Sequence, residues 1–307
     1  MKINSLAYDV GLWRRNSYGK VDSGRDGVLW DPQHRVLAIA DGVGIYGFGH
    51  DDLGTFFQEL RKHREIRSAV LATLHKDRRS TFVGVQLPPA QGGAAQVVHL
   101  GDSTAQLLWE GGLTELTEEH TYWTEIIKKH PEFRCLSELW FIMGMQNKEE
   151  IIHTIVAILR FINSKYKVNY IHEISRRMQL SFQFAGELHW LRMFLKTLVW
   201  RMSNTSILTL AHSRESVAAE LSKQMVVPVE LDDIFLLHSD GMDVKSKQVE
   251  EILRREEPVD AAKILAEESK REDDCSVGVV RVRKRKRREV LDNVLLRYSL
   301  ERKGGKR

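Results

Sequence analysis

Four aspartates abut short apolar runs of strand length, and they come from widely separated parts of the chain. Asp41 follows Val36–Ala40, Asp102 follows Val97–Gly101, Asp240 follows Phe235–Ser239, and Asp273 stands just before Ser276–Val280. A carboxylate at the end of a buried strand points into a cleft rather than into the core. Four of them predict one acidic pocket where several strands finish together. Clustered carboxylates repel one another, so such a pocket needs cations. Oxygen donors of this kind suit hard metal ions.

The chain is long enough for one large domain or two ordinary ones, and 42% apolar residues can build a sizeable core. Its two cysteines, Cys135 and Cys275, make neither metal-ligand spacing nor a disulfide framework. They point to a reducing, cytoplasmic setting. Met1–Val10 lacks the basic flank and apolar stretch of a signal peptide. The most apolar segment, Ile151–Ile162, is interrupted by His153, Thr154 and Arg160 and is too short to span a bilayer. The net charge of +4 hides a division: residues 281–307 carry +9, which leaves −5 on the rest. An acidic body suits a carboxylate-lined cation site.

Residues 1–120 read as short strands and turns. Val28–Trp30 and Arg35–Ala40 flank the turn signal Asp31-Pro32 and predict a hairpin leading into Asp41-Gly42. A glycine-rich loop through Gly49 follows, then a helix over Leu53–His63 with Leu53, Phe56, Phe57 and Leu60 on one face. Strands are expected at Thr81–Gln86, Gln96–Leu100 and Ala105–Trp109. From 121 to 206 helical periodicity takes over. There Leu188, Leu191, Leu195, Leu198, Val199 and Met202 share a face, beside Arg192 and Lys196. That face either packs a core of its own or presents a basic amphipathic surface to a partner or membrane. Strand signals return at Ile234–Leu237 and Ser276–Val282, with helices at Val249–Arg255 and Val259–Lys270 separated by Pro258.

Asp41-Gly42 and Asp240-Gly241 share a design. A strand delivers the carboxylate, and glycine turns the chain with no side chain in the way. One Asp-Gly pair means little, because the dipeptide is common in plain turns. The ordered set is specific: Ala40-Asp41-Gly42-Val43-Gly44, His99-Leu100-Gly101-Asp102-Ser103, the stretch Leu113–His120, Leu236–Met242 and Asp273-Asp274-Cys275-Ser276-Val277. In this order the motifs resemble the metal-dependent protein phosphatases of the PPM (type-2C) family, over about residues 1–120 and 205–282.

The resemblance implies an α+β fold: a sandwich of two antiparallel β-sheets flanked by helices, spanning 1–282. It would carry a helical insertion at about 123–202, with 283–307 as a basic tail. It also implies hydrolysis of phosphoserine and phosphothreonine esters in a phosphoprotein substrate, with two Mn²⁺ or Mg²⁺ ions and room for a third. In that scheme Asp41 bridges the two ions, the Gly42 carbonyl holds one, and Asp240 and Asp273 hold the other. Asp102 marks the third-ion position. The cations would activate a shared water for in-line attack on phosphorus and offset charge on the phosphoryl oxygens.

Two departures from the family pattern stand out. Where the family carries Asn-Glu-Asp or Asn-Gln-Asp, this chain has Gly24-Arg25-Asp26. Asp26 would act on a metal through water, and the acidic or amide partner is replaced by Arg25. The family's phosphate-gripping arginine has two candidates, Arg14 and Arg15. These changes keep open a second reading, a catalytically weak or inactive regulatory binding protein on the same fold. The basic run Arg281–Arg288 suggests contact with an acidic protein, nucleic acid or anionic lipid, or a solvated extension. It lacks the aromatic interleaving of specific nucleic-acid recognition.

Overall fold

The computed structural model describes residues 6–16, 25–42, 49–75, 80–166, 187–203, 213–222, 225–270 and 273–284. Gly24 of the altered triplet, the glycine-loop residues Gly44 and Gly47, the segment 204–210 and the tail from 285 lie outside the described residues. The chain divides into two compact units, one of residues 1–118 with 209–307 and one of residues 119–208.

In the first unit the described strands form two five-stranded antiparallel sheets. The first has the order β1-β10-β9-β6-β7, from Leu6–Arg15, Cys275–Lys284, Ile234–His238, Thr104–Trp109 and Gly112–Glu115. The second has the order β2-β3-β4-β5-β8, from Gly27–Asp31, Val36–Ala40, Phe82–Gln86, Ala94–Leu100 and Met225–Pro228. The expected β2–β3 hairpin is present. Its turn is fixed by Asp31, whose Oδ1 accepts from the Gln33 and His34 N–H groups at 2.7 and 2.9 Å. Side chains alternate across each strand. Leu37, Ile39, Val83, Val85, Phe235, Leu237, Val280 and Val282 therefore meet between the sheets as one core.

Helices cover the outer faces. α1 (Gly49–His63) buries Leu53, Phe56, Phe57 and Leu60, and the Phe56 ring lies 4.8 Å from that of Phe82 on β4. α2 (Ile66–Thr73) follows, capped by Glu65, which accepts from the Ser68 N–H. On the other sheet lie two more helices, Ser246–Arg255 and Pro258–Glu268, whose Val249, Leu253, Ala262 and Leu265 pack on Leu236, Val277 and Val279. Pro258 opens the second of these, at the one helical position where a missing N–H costs nothing. Continuous burial on both faces explains why β3 reads as an unbroken apolar run, Val-Leu-Ala-Ile-Ala.

β1, β7, β8, α2 and the helix Arg214–Leu221 carry no strong periodic signal in sequence. β8 lies on a sheet edge, with Met225 and Val226 exposed, so no buried face imposes alternation. β10 runs two residues past the expected tail boundary. Arg281 is anchored there on the Leu253 and Glu256 carbonyls at 3.1 and 2.7 Å, and Arg283 meets Asp9 at 2.6 Å.

The second unit is helical: α3 (Tyr122–Lys129), a 3₁₀ turn at Pro131–Ser137, α4 (Leu139–Gly144), α5 (Lys148–Tyr166) and α6 (Glu187–Ser203). Ile151, Ile155, Ile158 and Ile162 of α5 and Leu191, Leu195, Leu198 and Met202 of α6 are buried in its own core with Trp123 and Ile126. The apolar face of α6 thus packs internally, the first of the two readings its periodicity allows. Arg192 beside it donates to the Met145 carbonyl at 2.7 Å. Among the described residues no helix is long and apolar enough to cross a membrane.

Candidate metal and phosphate site

The period-two alternation that builds the core also builds the site. Following the inward-facing positions of each strand to one end of the sandwich gives Asp26 before β2, Asp41 after β3 and Thr81 before β4. It also gives Ser103 before β6, Ser239 after β9 and Ser276 on β10. The interior changes there from aliphatic to polar. Thr81 and Ser103 share a buried 2.7 Å hydrogen bond between hydroxyls. The Ser239 hydroxyl accepts from the Ser276 N–H at 3.0 Å and donates to the Asp26 carboxylate, joining the two sheets.

Asp26 is 1% exposed, and its Oδ2 is buried with no hydrogen-bond partner. Burial is the main reason its pKa is raised to about 6. Hydrogen bonds from Asp41 and Ser239 act against that rise, and the Asp274 and Asp240 charges add to it. Asp41 keeps some solvent exposure. Desolvation, then the charges of Asp26 and Asp240, hold its pKa well above the carboxylate range, and the hydrogen bond to Asp26 and the Asp102 charge reinforce this. Each carboxylate of the pair is thus held towards its protonated form by burial and by its acidic neighbours. Asp102 is buried beside them.

Two backbone features hold the strand ends in place. The Thr81 N–H donates to the Asp41 carbonyl at 2.9 Å. Gly241 packs so tightly that a Cβ there would lie 1.8 Å from the Asp274 carbonyl oxygen. Only glycine lets the Asp240-Gly241 turn touch the start of β10.

Asp26, Asp41, Asp102 and Asp240 thus come together electrostatically, joined by Asp274, which is 7% exposed. Asp273 sits apart from this set in character: it is exposed, and its Oδ1 accepts from the Asp274 N–H at 2.9 Å. Gly42 bridges Ser80 across the strand ends. Among the described residues no group of three or more His, Cys, Asp or Glu forms a ready-made ion cage. The donor set nevertheless fits hard divalent cations: the Asp26 Oδ2 is orphaned, and Asp26 and Asp41 lie among mutually repelling carboxylates that a cation would relieve.

The two arginine candidates separate by strand parity. Leu12 of β1 faces the core between the sheets, so Arg14 emerges on the same inner face, and its Nη1 donates to the Asp26 carbonyl at 3.0 Å. Trp13 faces the helix Pro258–Glu268, where Lys263 lies over its ring, and Arg15 follows it outward. Arg15 donates to the Ser269 and Asp273 carbonyls at 2.5 and 3.4 Å. Ser103, Ser239 and Ser276 stand inside the sequence motifs with no role attached to them, and Thr81 lies outside, because all four are common residue types. Strand parity carried two residues past each apolar run would have found them.

A cavity of about 920 Å³ opens at the other end of the sandwich, lined by Trp109, Leu116, Leu231, Arg254 and Arg281. Its carboxylates are Glu110, Glu230, Asp232 and Asp233, and none of Asp26, Asp41, Asp102, Asp240 or Asp274 lines it.

No family model matches the chain, and no curated protein matches it by sequence. Solved structures do. The catalytic domain of the serine/threonine protein phosphatase PstP in complex with two manganese ions is 17% identical, with a TM-score of 0.54, covering 91% of this chain and 100% of that one. PppA, a regulatory component of the T6SS in Pseudomonas aeruginosa, is 15% identical with a TM-score of 0.56, covering 92% and 100%. The PPM Ser-Thr phosphatase MsPP from Mycobacterium smegmatis, in complex with cacodylate, is 16% identical with a TM-score of 0.51, covering 92% and 99%. The fold is that of the PPM-type phosphatases, two antiparallel sheets flanked by helices. At these identities the likeness establishes the fold alone.

Proposed function

We propose that this chain is a metal-dependent serine/threonine protein phosphatase, hydrolysing phosphoserine and phosphothreonine esters of a phosphoprotein. The observation that carries the reading is the hydrogen-bonded Asp26–Asp41 pair beside Asp240 and Asp102 on a PPM-type fold. Asp41, the Gly42 carbonyl, Asp240 and Asp273 would hold two Mn²⁺ or Mg²⁺ ions, with Asp26 acting through water and Asp102 serving a third. When bound, such ions supply Lewis acidity towards water and the phosphoryl oxygens. Protons held by Asp26 and Asp41 would leave as the site fills, because cations favour ionised carboxylates. Arg14 would present its guanidinium to the phosphate, in the fork geometry that suits such an anion. Its bond to the Asp26 carbonyl supports that placement, since it keeps the guanidinium beside the carboxylates.

The test is release of phosphate from p-nitrophenyl phosphate and a phosphothreonine peptide, with Mn²⁺ or Mg²⁺ and then with chelator. Turnover should require metal and fall to background in Asp41→Asn. A second reading, a regulatory binding protein on this fold, is favoured by Arg25 in the altered triplet. Inert protein with both metals, together with a calorimetric titration showing no ion uptake, would replace the first reading by the second.

A further inference from the structure

The Asp240-Gly241 turn and the Asp273-Asp274 segment are tied together by Arg15 and by Ser269, a residue outside every motif. Ser269 caps the helix Pro258–Glu268 and is 4% exposed. Its hydroxyl donates to the Gly241 carbonyl at 2.7 Å and accepts from the Asp243 N–H at 2.9 Å, so it grips both sides of the turn. Its own carbonyl accepts from Arg15 Nη1 at 2.5 Å, while Arg15 Nη2 reaches the Asp273 carbonyl at 3.4 Å. One guanidinium therefore spans the two ends of the connection from helix to β10. Through Ser269 the same link extends to Asp240. The contact of Gly241 with the Asp274 carbonyl shows how little play this junction has.

We propose that Arg15 and Ser269 form a clasp that positions Asp240 and the Asp273-Asp274 segment, and so sets the affinity of the site for a divalent cation. Arg15 is then a positioning residue, donating to the Ser269 and Asp273 carbonyls, while Arg14 donates to the Asp26 carbonyl. A guanidinium suits this role because its planar fork serves two acceptors at once, which an ammonium cannot do in a fixed geometry. Residues that orient metal ligands in this way typically change ion affinity by about 10–100-fold when altered. The proposal rests on the phosphatase reading for the identity of the ion.

The experiment measures Mn²⁺ binding to the full chain by titration calorimetry and by loss of the free-Mn²⁺ paramagnetic resonance signal. It compares wild type with Arg15→Lys and Ser269→Ala, and melting curves in chelator report folding. Both variants should bind Mn²⁺ about tenfold more weakly or worse. At saturating Mn²⁺ their KM for a phosphopeptide should match wild type, whereas Arg14→Lys should raise KM and leave Mn²⁺ affinity near wild type. Wild-type Mn²⁺ affinity in both clasp variants overturns the clasp, and so does a raised KM for Arg15→Lys with unchanged Mn²⁺ affinity. If Arg15→Lys does not fold, Ser269→Ala decides alone. Absence of Mn²⁺ uptake by wild type removes both the clasp and the phosphatase reading, while uptake by wild type that the variants match removes only the clasp.

Discussion

Replacing Asp26 by asparagine should reshape the pH dependence of stability of the ion-free protein. The folded-state pKa of Asp26 is about 6, against an unperturbed 3.8. A raised pKa means the folded state binds the proton more tightly, so this stabilisation is fully present below about pH 3.8 and is lost as pH rises through 6. The shift of roughly two units corresponds to about 3 kcal/mol, at about 1.4 kcal/mol per unit. His238 works in the opposite sense. Burial lowers its pKa to about 4, so its contribution is present above about pH 6.5 and lost as pH falls towards 4. The two slopes overlap, and the raw pH profile of wild type is not diagnostic. The difference between Asp26→Asn and wild type isolates the Asp26 part. Urea unfolding in chelator at pH 4 and pH 7.5 should show the variant gaining about 2 kcal/mol relative to wild type over that interval, since part of the effect lies below pH 4. Loss of the Asp26 charge also relieves Asp41, which pushes the gain in the same direction. A difference that stays constant with pH would refute the buried-pair electrostatics. Saturating Mn²⁺ should reverse the ranking at pH 7.5, because only wild type keeps the full donor set.

Two further changes test the framework around the site. Gly241→Ala places a methyl group 1.8 Å from the Asp274 carbonyl oxygen, backbone against backbone, and should cost about 2–3 kcal/mol in chemical denaturation and weaken Mn²⁺ binding; wild-type behaviour would show that the turn has slack. Leu195→Ala, at a fully buried position of α6, should cost about 2–5 kcal/mol. A loss below about 0.5 kcal/mol would mark that face as surface rather than core.

The reading of fold from sequence succeeded where burial writes a period. Val36–Ala40, Ile234–Leu237 and the face of Leu53, Phe56, Phe57 and Leu60 announce themselves because both core layers demand apolar side chains there. Edge strand β8 and the short helices α2 and Arg214–Leu221 stayed silent, because little of each is held by a continuous buried face. The opening strand β1 carries Tyr, Asp, Trp and Arg on a chain whose partner β10 lies more than 250 residues away, and no local signal marks such a pairing.

The sequence by itself determined that carboxylates stand at strand ends, that Asp-Gly pairs turn the chain beside them, and that helical periodicity fills the region after residue 120. Those are local facts of spacing and residue type. Only the tertiary structure decided which groups meet. It brought Asp26 to Asp41 and Ser239 from three strands, turned Arg14 inward and Arg15 outward on adjacent positions, and set Asp274 inside the charge cluster while leaving Asp273 exposed. The reason is physical. Each of these outcomes depends on strand pairing and sheet packing across long sequence separations, where a shift of one residue reverses the direction of every side chain.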